Sequence, residues 1–81
     1  MATGTIPARL TKRNITGTTN ANGVLATSYT ISNFVIVSAS GKGVHTLPMT
    51  SSNNTWIFVC SNALYEKVAN TSVDIDYWTI P

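Results

Sequence analysis

The chain has 81 residues, of which 43% are apolar and only 10% are charged, and its formal net charge is +2. This length allows one domain with a small core. Five dispersed basic residues exclude an extended nucleic-acid surface, and no apolar run is long enough to span a membrane. Thr, Ser and Asn take the place of the missing charge and account for 29 residues. Because so few charges oppose self-association, we expect the chain to form an oligomer.

The first region, residues 1–22, is predicted to be an extended arm that docks on a partner or a neighbouring subunit. It is rich in Thr, Asn and Gly, and its few apolar residues, such as Ile6 and Ile15, stand alone. Pro7 and Gly17 interrupt any regular element. The alternative interpretation is a partly disordered tail.

The remaining residues, 23–81, are predicted to form a single all-β domain. An Asn-Gly turn opens it, and short runs of β-forming residues then alternate with polar turns every 8–12 residues. This spacing favours a small antiparallel β-sandwich, jelly-roll-like in its arrangement, or a small barrel. The predicted strands are 24–31, 34–40, 44–49, 56–60 and 73–80, with a strand or extended segment over 64–68.

Two of these strands indicate how the core is built. The run Trp56–Cys60 is apolar on both faces, which is typical of a central strand covered on both sides. In the last strand, Val73, Ile75 and Tyr77 alternate toward one face, which we assign to the core.

The opposite face of the last strand begins with two carboxylates and ends with Trp78 and Ile80. A fully solvated face does not usually change character in this way. We therefore predict that Trp78 and Ile80 form a subunit contact, with a ligand site as the alternative for Trp78.

The residues that could carry catalysis do not form a convincing set. His45 is the only histidine, and neither a serine nor Cys60 stands in the context of an activated nucleophile. Asp74 and Asp76 share a face of a strand, but with three carboxylates in the whole chain they are interpreted as a solvated or Lys/Arg-paired surface. Cys60 lies in an apolar run and is predicted to be a small buried side chain. We predict no enzymatic activity, no cofactor and no metal.

Three stretches, in order, resemble the small distal β-domains of bacteriophage tail fibres and baseplate receptor-binding proteins. They are the Thr-Thr-Asn-Ala-Asn-Gly turn at 18–23, the Trp-Ile-Phe-Val strand at 56–59 and the Val-Ala-Asn-Thr-Ser-Val turn at 68–73 before the last strand. The resemblance covers about residues 18–81. A fibre tip normally follows a long shaft, so the chain is either an excised tip or a small virion protein attached through its arm.

The resemblance implies a homotrimer that recognises a saccharide or protein on the bacterial surface. It also implies a virion location, reached from the host cytoplasm without a signal peptide and without membrane insertion. The arm would then bind other virion proteins. Candidate contacts with the ligand lie in three polar loops, at Lys42, Ser52, Asn53, Asn54 and Asn62.

Three further interpretations stay open. The chain could be a capsid decoration protein or a tail adaptor with no receptor, or it could be a free carbohydrate-binding module. An enzyme ranks last.

Overall fold

The computed structural model describes residues 10–80. They form six strands in two antiparallel three-stranded sheets, and no helix occurs in this part of the chain. Sheet 1 has the order β1-β6-β3 and sheet 2 the order β2-β5-β4. The prediction of a small all-β domain is confirmed. The strands are β1 Thr11–Thr18, β2 Val24–Thr30, β3 Val35–Gly41, β4 His45–Thr50, β5 Thr55–Ser61 and β6 Ser72–Ile80.

The core lies between the two central strands, β5 and β6. Alternate residues of β5 and β6 are buried, as the period of two in a strand requires. The rings of Phe58 and Tyr77 meet across the sheets with their centres 5.3 Å apart. Burial of each such large side chain contributes roughly 1.5–3 kcal/mol to folding. The buried apolar set is Leu25, Phe34, Ile36, Trp56, Phe58, Cys60, Val73, Ile75 and Tyr77.

One hydrogen bond joins the aromatic core to the connection between the sheets. The indole Nε1 of Trp56 donates to the backbone carbonyl of Phe34 at 3.1 Å, and both residues are buried. A buried indole N–H without an acceptor would be destabilising. Trp56 therefore holds the turn between β2 and β3 against sheet 2 while its ring fills the core.

The predicted arm is wrong for residues 11–18, which are strand β1 of the domain. β1 pairs with β6 over its whole length, from Thr11 opposite Thr79 to Thr18 opposite Ser72. The apolar signal of this strand is weak, because Ile15 is its only apolar side chain. Residues 1–9 of the predicted arm lie outside the described residues.

Gly17 accounts for part of that weak signal, since its lack of a side chain lets β2 approach β1. A Cβ atom at this position would lie 2.7 Å from Cδ1 of Leu25. The glycine that suggested a break in the chain therefore makes room for a core leucine.

Two further predictions need correction. The strand predicted over 24–31 ends one residue earlier, at Thr30; its pairing shifts register between Ala26 and Thr30, and Ile31 is exposed in the following turn. Residues 64–68, predicted to be a strand or an extended segment, form a turn with a single β-bridge between Ser61 and Lys67.

A buried threonine joins the two turns at one end of the sandwich. The Thr19 hydroxyl donates to the carbonyl of Val68 at 2.5 Å and accepts from the N–H of Thr71 at 3.0 Å. Beside it, the N–H of Asn70 donates to the carbonyl of Asn20 at 3.1 Å. We call this contact between residues 18–23 and 68–73 the threonine brace. Two of the three stretches that suggested a phage domain are therefore structural partners of each other.

The threonine brace predicts the effect of Thr19→Val, which keeps the shape of the side chain and removes its hydroxyl. The Val68 carbonyl and the Thr71 N–H would lose a partner in a part-buried site, so we expect the free energy of unfolding to fall by about 2 kcal/mol. Urea denaturation measures this change. Thr18→Val, at the exposed neighbouring position, is the control and should stay within about 0.5 kcal/mol of the unsubstituted chain. An equal effect of the two substitutions would contradict the brace.

Candidate interaction surfaces

The predicted ligand-contact residues do not form one surface. β4 and β5 make a hairpin in which Thr50 lies opposite Trp56 at one end and His45 lies opposite Ser61 at the other. Ser52, Asn53 and Asn54 belong to the turn at the first end, whereas Lys42 and Asn62 lie at the second. A strand of six residues spans roughly 20 Å. The structure therefore divides these five residues between opposite ends of the sandwich.

Three of these five residues have a structural role within the domain. Asn54 has a positive φ of 59°, and its carbonyl accepts a hydrogen bond from the N–H of Ile31. The side chain of Asn62 caps the N–H groups of its own turn, and Lys42 is bound to Asp74. Polar loop residues of these types are common in turns for this reason. Their presence does not by itself indicate a ligand.

The outer surface of sheet 1 carries a network of charged and amide groups. The amide of Asn14 donates to carboxylate oxygens of both Asp74 and Asp76, at 2.6 and 2.9 Å. Lys42 binds Asp74 at 2.8 Å, and Lys12 lies 3.8 Å from Asp76. The interpretation of the two aspartates as a paired surface is confirmed, since each has a lysine and an amide as neighbours.

This network shifts two ionisation equilibria. The hydrogen bond from Lys42, followed by that from Asn14, lowers the pKa of Asp74 below its usual value. The same contact with Asp74 raises the pKa of Lys42. Both pKa shifts show that these contacts stabilise the charged forms. Asp74 is therefore a poor candidate for a general acid.

Trp78 and Ile80 lie half-buried on the same outer surface, at the other end of β6. The Lys12 ammonium is 5.9 Å from the centre of the Trp78 ring. Ile80 pairs with Val35, which is 49% exposed, and Val37 is exposed nearby. The structure places both residues outside the core, as their alternation with Tyr77 predicted. Their role as a subunit contact stays a prediction.

The outer surface of sheet 2 is apolar across all three strands, a feature that the sequence analysis did not single out. Two cross-strand rows form it, and the register aligns their members side by side. Leu47 and Met49 are 57% and 46% exposed, and none of the six side chains carries a charge. We call this surface the apolar face. Its rows are Leu47, Val59 and Val24, and Met49, Ile57 and Ala26.

The prediction that β5 is covered on both sides is wrong. This strand is central in its sheet, as expected, but only its inner side, with Trp56, Phe58 and Cys60, is buried. Ile57 and Val59 on the outer side are half-exposed. The signal was present in the sequence, because a strand that is apolar on both faces calls for two covers. Residues 10–80 supply a cover for only one of these two faces.

A hydrogen-bonded turn borders the apolar face. The Asn62 side chain accepts hydrogen bonds from the N–H groups of Leu64 and Glu66, at 2.8 and 3.0 Å. The turn presents Leu64 and Tyr65, each 78% exposed, and holds Tyr65 at a positive φ of 60°. Such a backbone conformation costs on the order of 1–3 kcal/mol for a residue other than glycine. The hydrogen bonds of the turn offset that cost.

The ring of Tyr65 stacks on His45, with ring centres 5.0 Å apart and planes inclined by 13°. Together they border a cleft of about 240 Å³ whose floor is Leu47 and Val59. His45 is thus a surface residue of β4. Cys60 faces the opposite side of the same sheet, in the core, where burial raises the pKa of its thiol. The two side chains cannot act together as a nucleophile and its base.

Within residues 10–80, no group of three or more His, Cys, Asp or Glu side chains is arranged to hold a metal ion. That part of the chain also has no helix that could cross a membrane.

Comparison with known proteins returned no matching family model, no similar curated protein and no similar solved structure.

The network on sheet 1 predicts a response of Asp74 to loss of Lys42. In Lys42→Met the strongest stabiliser of the carboxylate is removed, so the pKa of Asp74 should rise toward its usual value. Carboxyl-carbon NMR titration measures this pKa. Lys67→Met, which removes a charge at a different site, should leave it unchanged.

The same pKa shift fixes the sign of a pH effect on stability. Because the pKa of folded Asp74 lies below the unfolded value of about 3.9, the network stabilises the fold above pH 4. That contribution is lost as the pH falls through the folded pKa. It should be smaller in Lys42→Met, so acid unfolding would lose less stability over this window. An Asp74 titration identical in the two proteins would contradict the assignment.

Proposed function

We propose that this chain is a structural module of a bacteriophage virion, which joins copies of itself into a homotrimer through the apolar face. Its place would be the tip of a tail fibre or a receptor-binding protein, where it attaches the virion to the bacterial surface. A jelly-roll-like connection of its strands belongs to the same proposal.

One observation carries the proposal of self-association: the outer side of sheet 2 is apolar and uncovered. Leu47 and Met49 lie side by side on edge strand β4 with about half of their surface exposed. Burying those halves would contribute on the order of 1 kcal/mol for each side chain. Contiguous exposed apolar surfaces of a few hundred Å² typically mark interaction sites.

The chemistry of the face favours a second copy of the chain over a saccharide. A saccharide requires hydrogen-bonding groups that converge on its hydroxyls, and the six side chains of the face offer none. Two uncharged apolar surfaces can meet without like-charge repulsion. With charged residues at 10% of the chain, little charge elsewhere opposes the contact.

The virion setting rests on the resemblance of three stretches to phage domains. The threonine brace and the Trp56 hydrogen bond give each stretch a role in building the fold. The resemblance therefore supports a similar scaffold and leaves the ligand open. A trimer would present three weak sites at once, which raises the overall affinity for a repetitive surface.

The double substitution Leu47→Ser and Met49→Ser tests the contact. We expect a trimer for the unsubstituted chain and, for the double variant, a dissociation constant at least tenfold weaker, measured by light scattering over a dilution series. Ile31→Ser removes a side chain of similar exposure, 43%, from a turn outside the face and should leave the trimer intact.

A parallel variant, Trp78→Ser, decides between the two outer surfaces. If this substitution alone dissociates the trimer, the subunit contact lies on sheet 1 instead of sheet 2. A monomeric unsubstituted chain would contradict the proposal of self-association.

Attachment is tested with a fluorescent fusion of the full chain applied to candidate host bacteria. We expect cells to be labelled by the trimer and labelled much more weakly by the Leu47→Ser, Met49→Ser variant, because valency is lost. A decoration or adaptor protein would instead label no cells. In that case, deletion of residues 1–9, which leaves all six strands intact, should abolish incorporation into the particle.

A further inference from the structure

Three of the four edge strands in the described sandwich carry a feature that hinders the addition of another strand. The pairing of β2 shifts register between Ala26 and Thr30, and that of β3 shifts between Ile36 and Ser38. The third edge strand, β4, has Pro48 in its middle. Bulges and prolines are the usual protection of a sheet edge, because they interrupt its row of hydrogen-bonding groups.

The fourth edge strand, β1, has neither feature. Its eight residues pair with β6 in one unbroken register, and none of them is a proline. Every second residue of such a strand directs its backbone N–H and C=O away from the sheet. The described chain therefore has one long, regular and unpaired edge.

Charged side chains are another common protection of an edge, but those of β1 are held back over their own domain. The Lys12 ammonium lies 3.8 Å from Asp76 and over the Trp78 ring. Nε of Arg13 donates to the Thr79 hydroxyl at 3.2 Å, and its guanidinium lies 4.7 Å from the centre of the Phe34 ring. Both side chains contact their own domain, but Lys12 remains 63% exposed, so a pairing strand must place no positive charge opposite it.

We propose that β1 pairs antiparallel with β1 of a second copy of the chain, so that two copies of sheet 1 join into one six-stranded sheet across a two-fold axis. This contact is separate from the apolar face of sheet 2, does not depend on it, and would carry association beyond the trimer at high concentration.

Charge and side-chain orientation select the second copy as the partner. Opposed residues of an antiparallel pair lie on the same face, so the two central registers place either Asn14 opposite Asn14 or Ile15 opposite Ile15. In the first register Lys12 faces Thr16 of the second copy, and in the second it faces Thr18. Neither register places like charges opposite each other, and neither turns a core residue outward.

The variant Thr16→Lys, Thr18→Lys tests the contact. Both positions are exposed on the outer surface of β1, so the fold should tolerate lysine there. A lysine would then face Lys12 of the second copy in either register, and we expect association through this edge to weaken about tenfold. The matched control is Ser38→Lys, Ser40→Lys, which adds the same charge to exposed positions on β3, the opposite edge of the same sheet.

Sedimentation measures association, and backbone amide exchange locates it. In the unsubstituted chain, the alternate amides of β1 that do not bond to β6 should exchange at least tenfold more slowly in concentrated than in dilute solution. The same protection should persist in the Leu47→Ser, Met49→Ser variant. Loss of protection in the Thr16→Lys, Thr18→Lys variant, but not in the control, supports the pairing.

Two results would overturn the proposed pairing of β1 with β1 of a second copy. One is exchange at β1 that is independent of concentration in a chain that nevertheless oligomerises, which would leave the apolar face as the contact. The other is a chain that is monomeric at every concentration, which would also reject the trimer.

Discussion

Strand β5 has two apolar sides, and both the core and the proposed subunit contact depend on how each side is covered. The inner side meets β6 through the contact of Phe58 with Tyr77 and defines the core. The outer side, with Ile57 and Val59, is flanked by Val24 and Leu47 on the neighbouring strands and stays half-exposed. Residues 10–80 supply no third layer over this side. In the proposed trimer, a second copy of the chain removes that surface from water.

The two outer surfaces of the sandwich differ in a way that suits different uses. Sheet 1 presents an ordered network in which Asn14 joins two aspartates, with lysines at both ends. Sheet 2 presents aliphatic side chains and a fixed turn with Leu64 and Tyr65. The first surface is satisfied by its own contacts and is stable in water, whereas the second gains from contact with another molecule. This difference favours the apolar face, rather than the aspartate pair, as the proposed contact surface.

Sequence reasoning was most successful where one face of a strand is strictly buried. The alternation of Val73, Ile75 and Tyr77 in β6 predicted their burial correctly, and it placed Trp78 outside the core. It failed for β1, because this strand is held by backbone pairing to β6 and contributes only Ile15 to the apolar pattern. β1 and its partner β6 are more than 50 residues apart in the sequence, so their pairing produces no pattern within a short stretch of the sequence.

The candidate contact residues show a different limit. The sequence identifies Asn54 and Asn62 as turn residues but does not tell which turns share an end of the sandwich, since that depends on strand pairing. The prediction of a strand or an extended segment over 64–68 was wrong for a related reason. Leu64 and Tyr65 are good strand formers, and the hydrogen bonds of the Asn62 side chain override that preference.

In the proposed trimer, a second copy covers the outer side of β5. Isotope-filtered NMR on a mixture of labelled and unlabelled chains tests this contact, because only contacts between molecules are then observed. We expect intermolecular contacts from the methyl groups of Ile57, Val59 and Leu47. An oligomer in which these methyl groups show none, while those around Trp78 and Ile80 do, would contradict it.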